Sequence, residues 1–155
     1  MRGKPLIRQA LQALLLAMVC TGGAQAVWCN VNGGAVAFGL YDPTSAANLD
    51  TTGSLALQCN SKFSVVLSLS VGNGAGASYS SGRKMTRAGG GTLRYNLYAN
   101  AARTQVLGDG TNTSVTLAIN DRNSFTQAIW GRIPGNQNTV RAGSYNDTII
   151  ATISY

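Results

Sequence analysis

The 155-residue sequence contains no histidine and no glutamate. Histidine is the commonest general base and metal ligand, and the two acids of a glycosidase site are drawn from aspartate and glutamate. The remaining acidic side chains are Asp42, Asp50, Asp109, Asp121 and Asp147. Three of these, Asp42, Asp109 and Asp121, stand in turn-like sequence, where aspartate bonds the nearby backbone. We therefore predict that the protein is not an enzyme and has no catalytic, cofactor-binding or metal site. A hydrolase built from distant aspartates is the least favoured alternative.

Long apolar runs are absent except near the N-terminus. Basic residues at positions 2, 4 and 8 precede an apolar stretch over 10–20, and Ala24-Gln25-Ala26 follows as an A-x-A cleavage site. This order is typical of a secretory signal peptide, and the stretch is too short to span a membrane. A lipoprotein anchored at Cys20 is less favoured, because Met18 and Val19 stand where small residues are expected. We predict a signal peptide over residues 1–26.

The predicted mature chain, residues 27–155, is long enough for one domain with a hydrophobic core. Loss of three of the twelve basic residues leaves nine against five aspartates, a net charge of +4 instead of +7. The basic residues are scattered, and Arg83-Lys84 is their only adjacent pair. Nucleic-acid binding requires basic residues clustered on one face. The pattern favours a solvated surface, no nucleic-acid partner and no membrane span in the mature chain.

Two cysteines, Cys29 and Cys59, remain after the predicted cleavage. An even number of cysteines in a secreted domain predicts a disulfide formed in an oxidising compartment. The alternative, a two-cysteine metal site, lacks a histidine partner and C-x-x-C spacing. A bridge closing a loop of about 30 residues is expected to stabilise the fold by roughly 3–4 kcal/mol.

Short strand patterns separated by glycine, asparagine and serine occupy most of the mature chain. Alternation is strongest over 62–71, where apolar residues fall on one face and serines on the other. We expect a loop over 44–50 and a turn at Asn120-Asp121. No window outside the signal peptide predicts an amphipathic helix. The pattern indicates an all-β sandwich. The predicted strands cover 27–39, 54–59, 62–71, 83–87, 93–98, 115–119, 125–130 and a final segment introduced by Gly143.

The C-terminal residues form an alternating strand with one apolar face. Side chains alternate between the two faces of a strand, so this face must be buried in its own sheet or in a partner's. One face carries Ile149, Ala151, Ile153 and Tyr155, and the other carries Ile150, Thr152 and Ser154.

Several short motifs, in the same order along the chain, resemble the spore coat protein U domain, the subunit type of archaic (Csu-type) chaperone–usher pili. Each motif alone is weak, but together they cover essentially the whole mature chain. The motifs are Phe38-Gly-Leu-Tyr-Asp42, Gly53 with Cys59, Leu67-Ser68, Arg83 with Met85, Leu93-Arg-Tyr-Asn-Leu-Tyr98, Gly108-Asp-Gly110, Trp130-Gly-Arg-Ile-Pro134 with Gln137, and Gly143-Ser-Tyr-Asn-Asp-Thr148.

The resemblance implies an immunoglobulin-like antiparallel β-sandwich that is incomplete and is completed by a donated strand. It implies a periplasmic chaperone and an outer-membrane usher as partners, and a neighbouring pilus subunit that donates its N-terminal strand. The C-terminal strand, with Ile149, Ala151, Ile153 and Tyr155, is then expected to border the groove that the chaperone or donor strand enters.

The leading hypothesis is therefore a structural subunit of a surface fimbria or a spore-coat-like assembly. Export through the periplasm to the cell surface follows from the signal peptide. Only Val27 and Trp28 precede Cys29 after the predicted cleavage, so we expect a terminal, tip-type subunit that accepts a strand and contributes to adhesion and biofilm formation. The alternative is a secreted lectin-like module that binds a surface through loop residues. These are Asn73, Tyr79, Tyr98 and Asn100, and Tyr79 and Tyr98 are expected near the surface.

Overall fold

A computed structural model describes residues 26–155, so nearly all of the predicted signal peptide lies outside the described residues. The described part of the chain contains seven β-strands and no helix, and therefore no helix capable of crossing a membrane. The strands are β1 (Cys29–Ala35), β2 (Leu49–Leu69), β3 (Arg83–Arg87), β4 (Thr92–Tyr98), β5 (Leu117–Ile133), β6 (Tyr145–Asn146) and β7 (Ala151–Ser154).

The two longest strands, β2 and β5, pair antiparallel along most of their length. The pairing runs from Leu49 opposite Ile133 to Leu67 opposite Leu117, with register shifts between Gln58 and Val65. The predicted turn at Asn120-Asp121 is wrong, because β5 continues through these residues. The predicted strands over 54–59 and 62–71 are one strand for the same reason. Asn-Asp is locally turn-like, but a partner strand supplies hydrogen bonds and a bulge absorbs the extra residues.

All strand pairs are antiparallel, in the order β1-β2-β5-β4-β3-β6, and β7 pairs with β2. The short strands β6 and β7 are consecutive in the chain but pair at different places, on β3 and on β2. Residues 147–150 therefore cross from one part of the curled sheet to the other. The architecture is the predicted immunoglobulin-like antiparallel β-sandwich.

The buried core comes from alternate residues of the central strands, as the period-two patterns predict. Leu57, Val65, Leu67 and Leu69 project inward from β2. The other strands and the loop after β4 contribute the remaining buried hydrophobic residues of this cluster. These are Met85, Leu93, Tyr95, Leu97, Leu107, Ile119, Ile129 and Ile133.

The structure confirms the predicted disulfide between Cys29 and Cys59. The two residues lie directly opposite each other in the ladder between β1 and β2. Asn60, the next residue on β2, extends this ladder by bonding Trp28 through its own N–H and its side chain. The start of β1 is therefore held on β2 by a covalent bond and by hydrogen bonds.

Candidate functional site

A groove opens into the hydrophobic core between two segments that do not pair with each other. One wall, here called the N-terminal wall, is residues 34–43, and the other, the C-terminal wall, is residues 140–151. Two cavities lie between them, with volumes of about 310 Å³ at the narrow end and about 540 Å³ at the wide end. The two cavities are adjacent, since they share four lining residues, and together they are called the groove. The shared residues are Val36, Phe38, Met85 and Tyr145.

The N-terminal wall is made where the chain leaves the sheet. β1 ends at Ala35, and residues 36–40 belong to no strand. Val36 and Phe38 are half-buried while Ala37 and Gly39 are exposed, so the alternation of an extended chain continues beyond β1. The Phe38 ring meets the Tyr95 ring edge-on, with 5.8 Å between centroids. This contact sets the wall against the floor of the groove.

The floor of the groove is the hydrophobic core itself. Its residues belong to the buried cluster and come from β2, β3, β4 and β5, the central strands of the fold. Apolar core side chains normally lie under another layer of structure, and here the two cavities reach them although each of these side chains is at most 8% exposed. The buried floor residues are Leu69, Met85, Leu93, Tyr95, Leu97, Ile129 and Ile133.

Hydrogen bonds from Asp147 anchor the C-terminal wall. Its Oδ2 accepts a hydrogen bond of 2.8 Å from the Tyr95 hydroxyl on the floor. Its Oδ1 accepts bonds from the backbone N–H groups of Asn73 and Thr148, at 2.9 and 2.8 Å. Burial, reinforced by the bond to Asp147, raises the pKa of Tyr95 well above its usual range. The Tyr95 hydroxyl is therefore a fixed donor at neutral pH.

Ser70 supplies a second anchor for the same wall. The Ile150 N–H donates to Ser70 Oγ, and the Ser70 N–H donates to the Ile150 carbonyl, each at 2.9 Å. The Ser70 carbonyl in turn accepts two bonds from the guanidinium of Arg83, at 3.0 and 3.2 Å. The C-terminal wall is thus connected through Ser70 to a buried polar cluster.

Arg83 is fully buried and makes no ion pair within residues 26–155. Its guanidinium also donates to the Leu107 carbonyl at 2.6 Å and to Asn96 Oδ1 at 3.4 Å. The Tyr79 ring lies 5.1 Å from the charged carbon, within cation–π range. Loss of hydration lowers the pKa of this guanidinium, but carbonyl oxygens and a ring hold the charge.

The structure separates the four residues predicted for the groove. Ile149 and Ala151 line the narrow cavity. Ile153 packs against the core beside β2 but lines neither cavity, and Tyr155 is 71% exposed. Contact of a partner with these four residues stays a prediction.

Sequence reasoning missed the N-terminal wall as part of a site. The sequence predicts Val36 and Phe38 as part of the first strand, over 27–39. Only the tertiary structure shows that they lie opposite residues 140–151. Asp147 was missed for a similar reason, since its partners Tyr95 and Asn73 are more than 50 residues away. The alternation of residues 36 and 38 was the one signal available.

One of the four residues proposed for lectin-like binding is buried. Tyr79 is not near the surface: it is 6% exposed, and its hydroxyl donates to the Leu69 carbonyl at 2.7 Å. This expectation was wrong because the Tyr79 ring packs over the buried Arg83. Asn100 closes its own loop by bonding Thr104 and Gln105.

Chemically, the groove is suited to holding an extended apolar segment. Its floor is apolar, its walls project alternate side chains, and Asp147 is occupied by three hydrogen bonds. Among residues 26–155, no three potential metal ligands of the His, Cys, Asp or Glu type are grouped.

Comparison with known proteins places these observations in a family. The sequence model of the Spore Coat Protein U domain matches residues 15–152. Protein U of Myxococcus xanthus is 32% identical over 143 residues, which cover 86% of this chain and 79% of that protein.

Among solved structures, the fold is similar to a chain in the complex of the chaperone CsuC with the tip adhesion subunit CsuE, from the archaic chaperone–usher Csu pili of Acinetobacter baumannii. The TM-score is 0.58 at 18% identity, which concerns the fold alone. The match covers 84% of this chain but only about 40% of the length of that chain. On its sequence match, this chain belongs to the Spore Coat Protein U domain family.

Proposed function

We propose that this protein is a structural subunit of a surface fimbria of the archaic chaperone–usher type, or of a related coat, and that its groove accepts a strand from another protein. The observation that carries the proposal is the groove between residues 34–43 and 140–151, whose two cavities are lined by side chains of the core. A periplasmic chaperone lends the strand first, and a neighbouring subunit replaces it in the assembly.

Strand addition fits the two walls and the floor. An inserted strand has alternate side chains on one face, and these would fill the two cavities above the apolar floor. Its backbone would meet residues 36–40, which have no strand partner of their own. Apolar burial contributes roughly 25 cal/mol per Å², so covering a core floor supplies a driving force as well as specificity.

The similar proteins support the same assignment. Protein U shares the family, and the Csu complex pairs a chaperone with a tip adhesion subunit of related fold. We extend the proposal to an outer-membrane usher as the assembly partner and to export by the predicted signal peptide. The route then runs through the periplasm to the cell surface.

We further propose a terminal, tip-type position with a contribution to adhesion and biofilm formation. Asn60 bonds the backbone of Trp28, which precedes β1, so Trp28 is held against β2. If cleavage follows Ala26, only Val27 and Trp28 precede β1, and this short segment is not free to be donated. N-terminal sequencing of the exported protein tests this position, and a start near residues 10–13 would contradict it.

The main test is rescue of the purified mature chain by a donor peptide. We expect a peptide of about ten residues with alternating apolar side chains to raise the melting temperature. A ligand at 100 times its Kd stabilises by about 2.7 kcal/mol. A peptide of the same composition without the alternation is the control. A mature chain that is stable and monomeric alone, and gains nothing from the peptide or from a chaperone, would refute strand acceptance.

A further inference from the structure

We infer that the groove selects for charge: an incoming strand carries an acidic side chain at the wide end, beside Arg141. This inference rests on the proposed function, since it describes which strand the groove prefers. The expected occupant is an extended segment whose alternate side chains are apolar and whose residue at the wide end is aspartate or glutamate.

Two charged residues are among those that line the cavities, one in each cavity. Asp147 lies in the narrow cavity and accepts three hydrogen bonds from within the protein. It is occupied by its own structural role and offers little attraction to a basic residue of a partner.

Arg141 lines the wide cavity and is in the opposite situation. No hydrogen bond or ion pair joins its guanidinium to any residue in 26–155, whereas Arg103 and Arg132, elsewhere on the surface, both form an ion pair with Asp50. Among the residues that line the groove, Arg141 is therefore the charged residue whose side chain has no hydrogen-bond or ion-pair partner within 26–155.

The backbone at Arg141 is held in place, so its side chain starts from a fixed point at the wide end. The Tyr145 hydroxyl donates to the Arg141 carbonyl at 2.9 Å. The next carbonyl, of Ala142, accepts a bond of 3.4 Å from the Arg87 guanidinium, whose Nε donates to Gly90. Arg87 is thus engaged with the backbone and adds positive charge near the same end.

The apolar side chains of an inserted strand cannot pair with the positive charge at the wide end. An acidic side chain there would pair with Arg141, and a lysine would be repelled by Arg141 and Arg87. Exposed ion pairs of this kind change affinity by roughly two- to five-fold. The effect is therefore one of partner selection more than of total affinity.

The direction of the incoming strand decides which of its ends carries the acid. The C-terminal wall runs from the wide end, at residue 140, to the narrow end, at residue 151, and the N-terminal wall runs the opposite way. A strand antiparallel to the C-terminal wall has its acid near its own C-terminus. A strand parallel to that wall has it near its N-terminus.

The experiment uses synthetic peptides with a core of about ten alternating valine and threonine residues, with acetylated and amidated ends to remove terminal charges. Aspartate, asparagine or lysine is placed at the first or the last core position. Dissociation constants are measured with the wild-type mature chain, with Arg141→Gln and with Arg141→Glu. Arg94→Gln is the matched control, since Arg94 is exposed and lines neither cavity.

At one peptide end we expect the affinity order aspartate, asparagine, lysine, with two- to five-fold between neighbours. Arg141→Gln removes this order, Arg141→Glu reverses it, and Arg94→Gln preserves it. About 1 M salt removes the order in the wild type, because screening weakens exposed pairs, while apolar binding persists.

Equal affinity of the wild type for all three peptides at both ends would overturn the charge preference and leave strand acceptance intact. An order that survives in Arg141→Gln would also overturn it, since the charge would then act elsewhere. Failure of every peptide to bind would overturn both the preference and the proposed function.

Discussion

Tyr95 donates its hydroxyl hydrogen to Asp147 Oδ2 across 2.8 Å, and this bond joins the floor of the groove to its C-terminal wall. The two residues belong to different parts of the fold: Tyr95 is on β4, and Asp147 follows β6. Because Tyr95 is only 4% exposed, little water competes for this bond. The C-terminal wall is therefore held against the floor by a bond within the protein itself.

Tyr95→Phe is expected to lower the free energy of unfolding by about 1.5–3 kcal/mol, since it removes a buried bond to a charged acceptor. Urea denaturation of the mature chain measures the change. Tyr145→Phe is the matched control: its hydroxyl bonds the Arg141 carbonyl in an exposed setting, so we expect a loss below about 1 kcal/mol. Equal losses in both variants would contradict the anchoring role of Tyr95.

Ala151→Lys is expected to weaken binding of an alternating donor peptide at least about ten-fold, because it puts a charge into the apolar lining of the narrow cavity. Fluorescence anisotropy with a labelled peptide measures this effect. Thr152→Lys places the same side chain on the next residue of β7, which faces solvent. We expect it to leave binding within two-fold of wild type, and parity between the two variants would count against the groove as the binding site.

Arg83→Met is expected to destabilise the protein by about 3 kcal/mol. It leaves the carbonyls of Ser70 and Leu107 without the donors they have now and loosens the segment that holds Ile150. Arg94→Met, on the exposed face of β4, should change stability by no more than about 0.5 kcal/mol. If Arg83→Met were as stable as wild type, the buried charge would be replaceable by packing alone.

Acid should remove the contribution of Asp50 to stability. A hydrogen bond from Arg132 is the main cause that lowers the pKa of Asp50 below its ordinary value of 3.8. The folded protein thus holds the charged form more strongly than the unfolded chain. The stabilisation is fully present above about pH 4 and is lost as pH falls through the folded pKa.

Asp50→Asn provides the comparison. At pH 7 we expect it to be less stable than wild type by no more than about 1 kcal/mol, since the pair is partly exposed and screened. At about pH 2 the two proteins should have the same free energy of unfolding. A gap that stays constant across this range would show that Asp50 acts through packing and not through its charge.

Local patterns were sufficient to predict most strands. The inward residues of β4, Leu93, Tyr95 and Leu97, follow from alternation, because a strand with one buried face must repeat with period two. The pattern failed at Asn120-Asp121. Turn residues specify what a segment does alone, but Ile119 and Arg122 on either side pair with β2, and Asn120-Asp121 is kept within β5 as an irregularity of the ladder.

The candidate site was only half predictable. The apolar face of the C-terminal segment was visible in its residues, and Ile149 and Ala151 do line the groove. The N-terminal wall, around Val36 and Phe38, shows the same alternation of side chains. That alternation does not predict which segment the wall faces. Which two segments face each other across a core depends on how the sheet curls, and no local spacing records this.

The amino-acid sequence by itself determined the fold class, the disulfide and the absence of histidine-based chemistry, because alternation, cysteine count and composition are properties of the chain. Only the tertiary structure decided that the C-terminal segment pairs first with β3, through β6, and then with β2, through β7. The same segment does not pair with the N-terminal wall, which lies across the cavity. The reason is that hydrogen bonds over long separations, such as Tyr95 to Asp147, hold this segment at the edge of the core instead of across it.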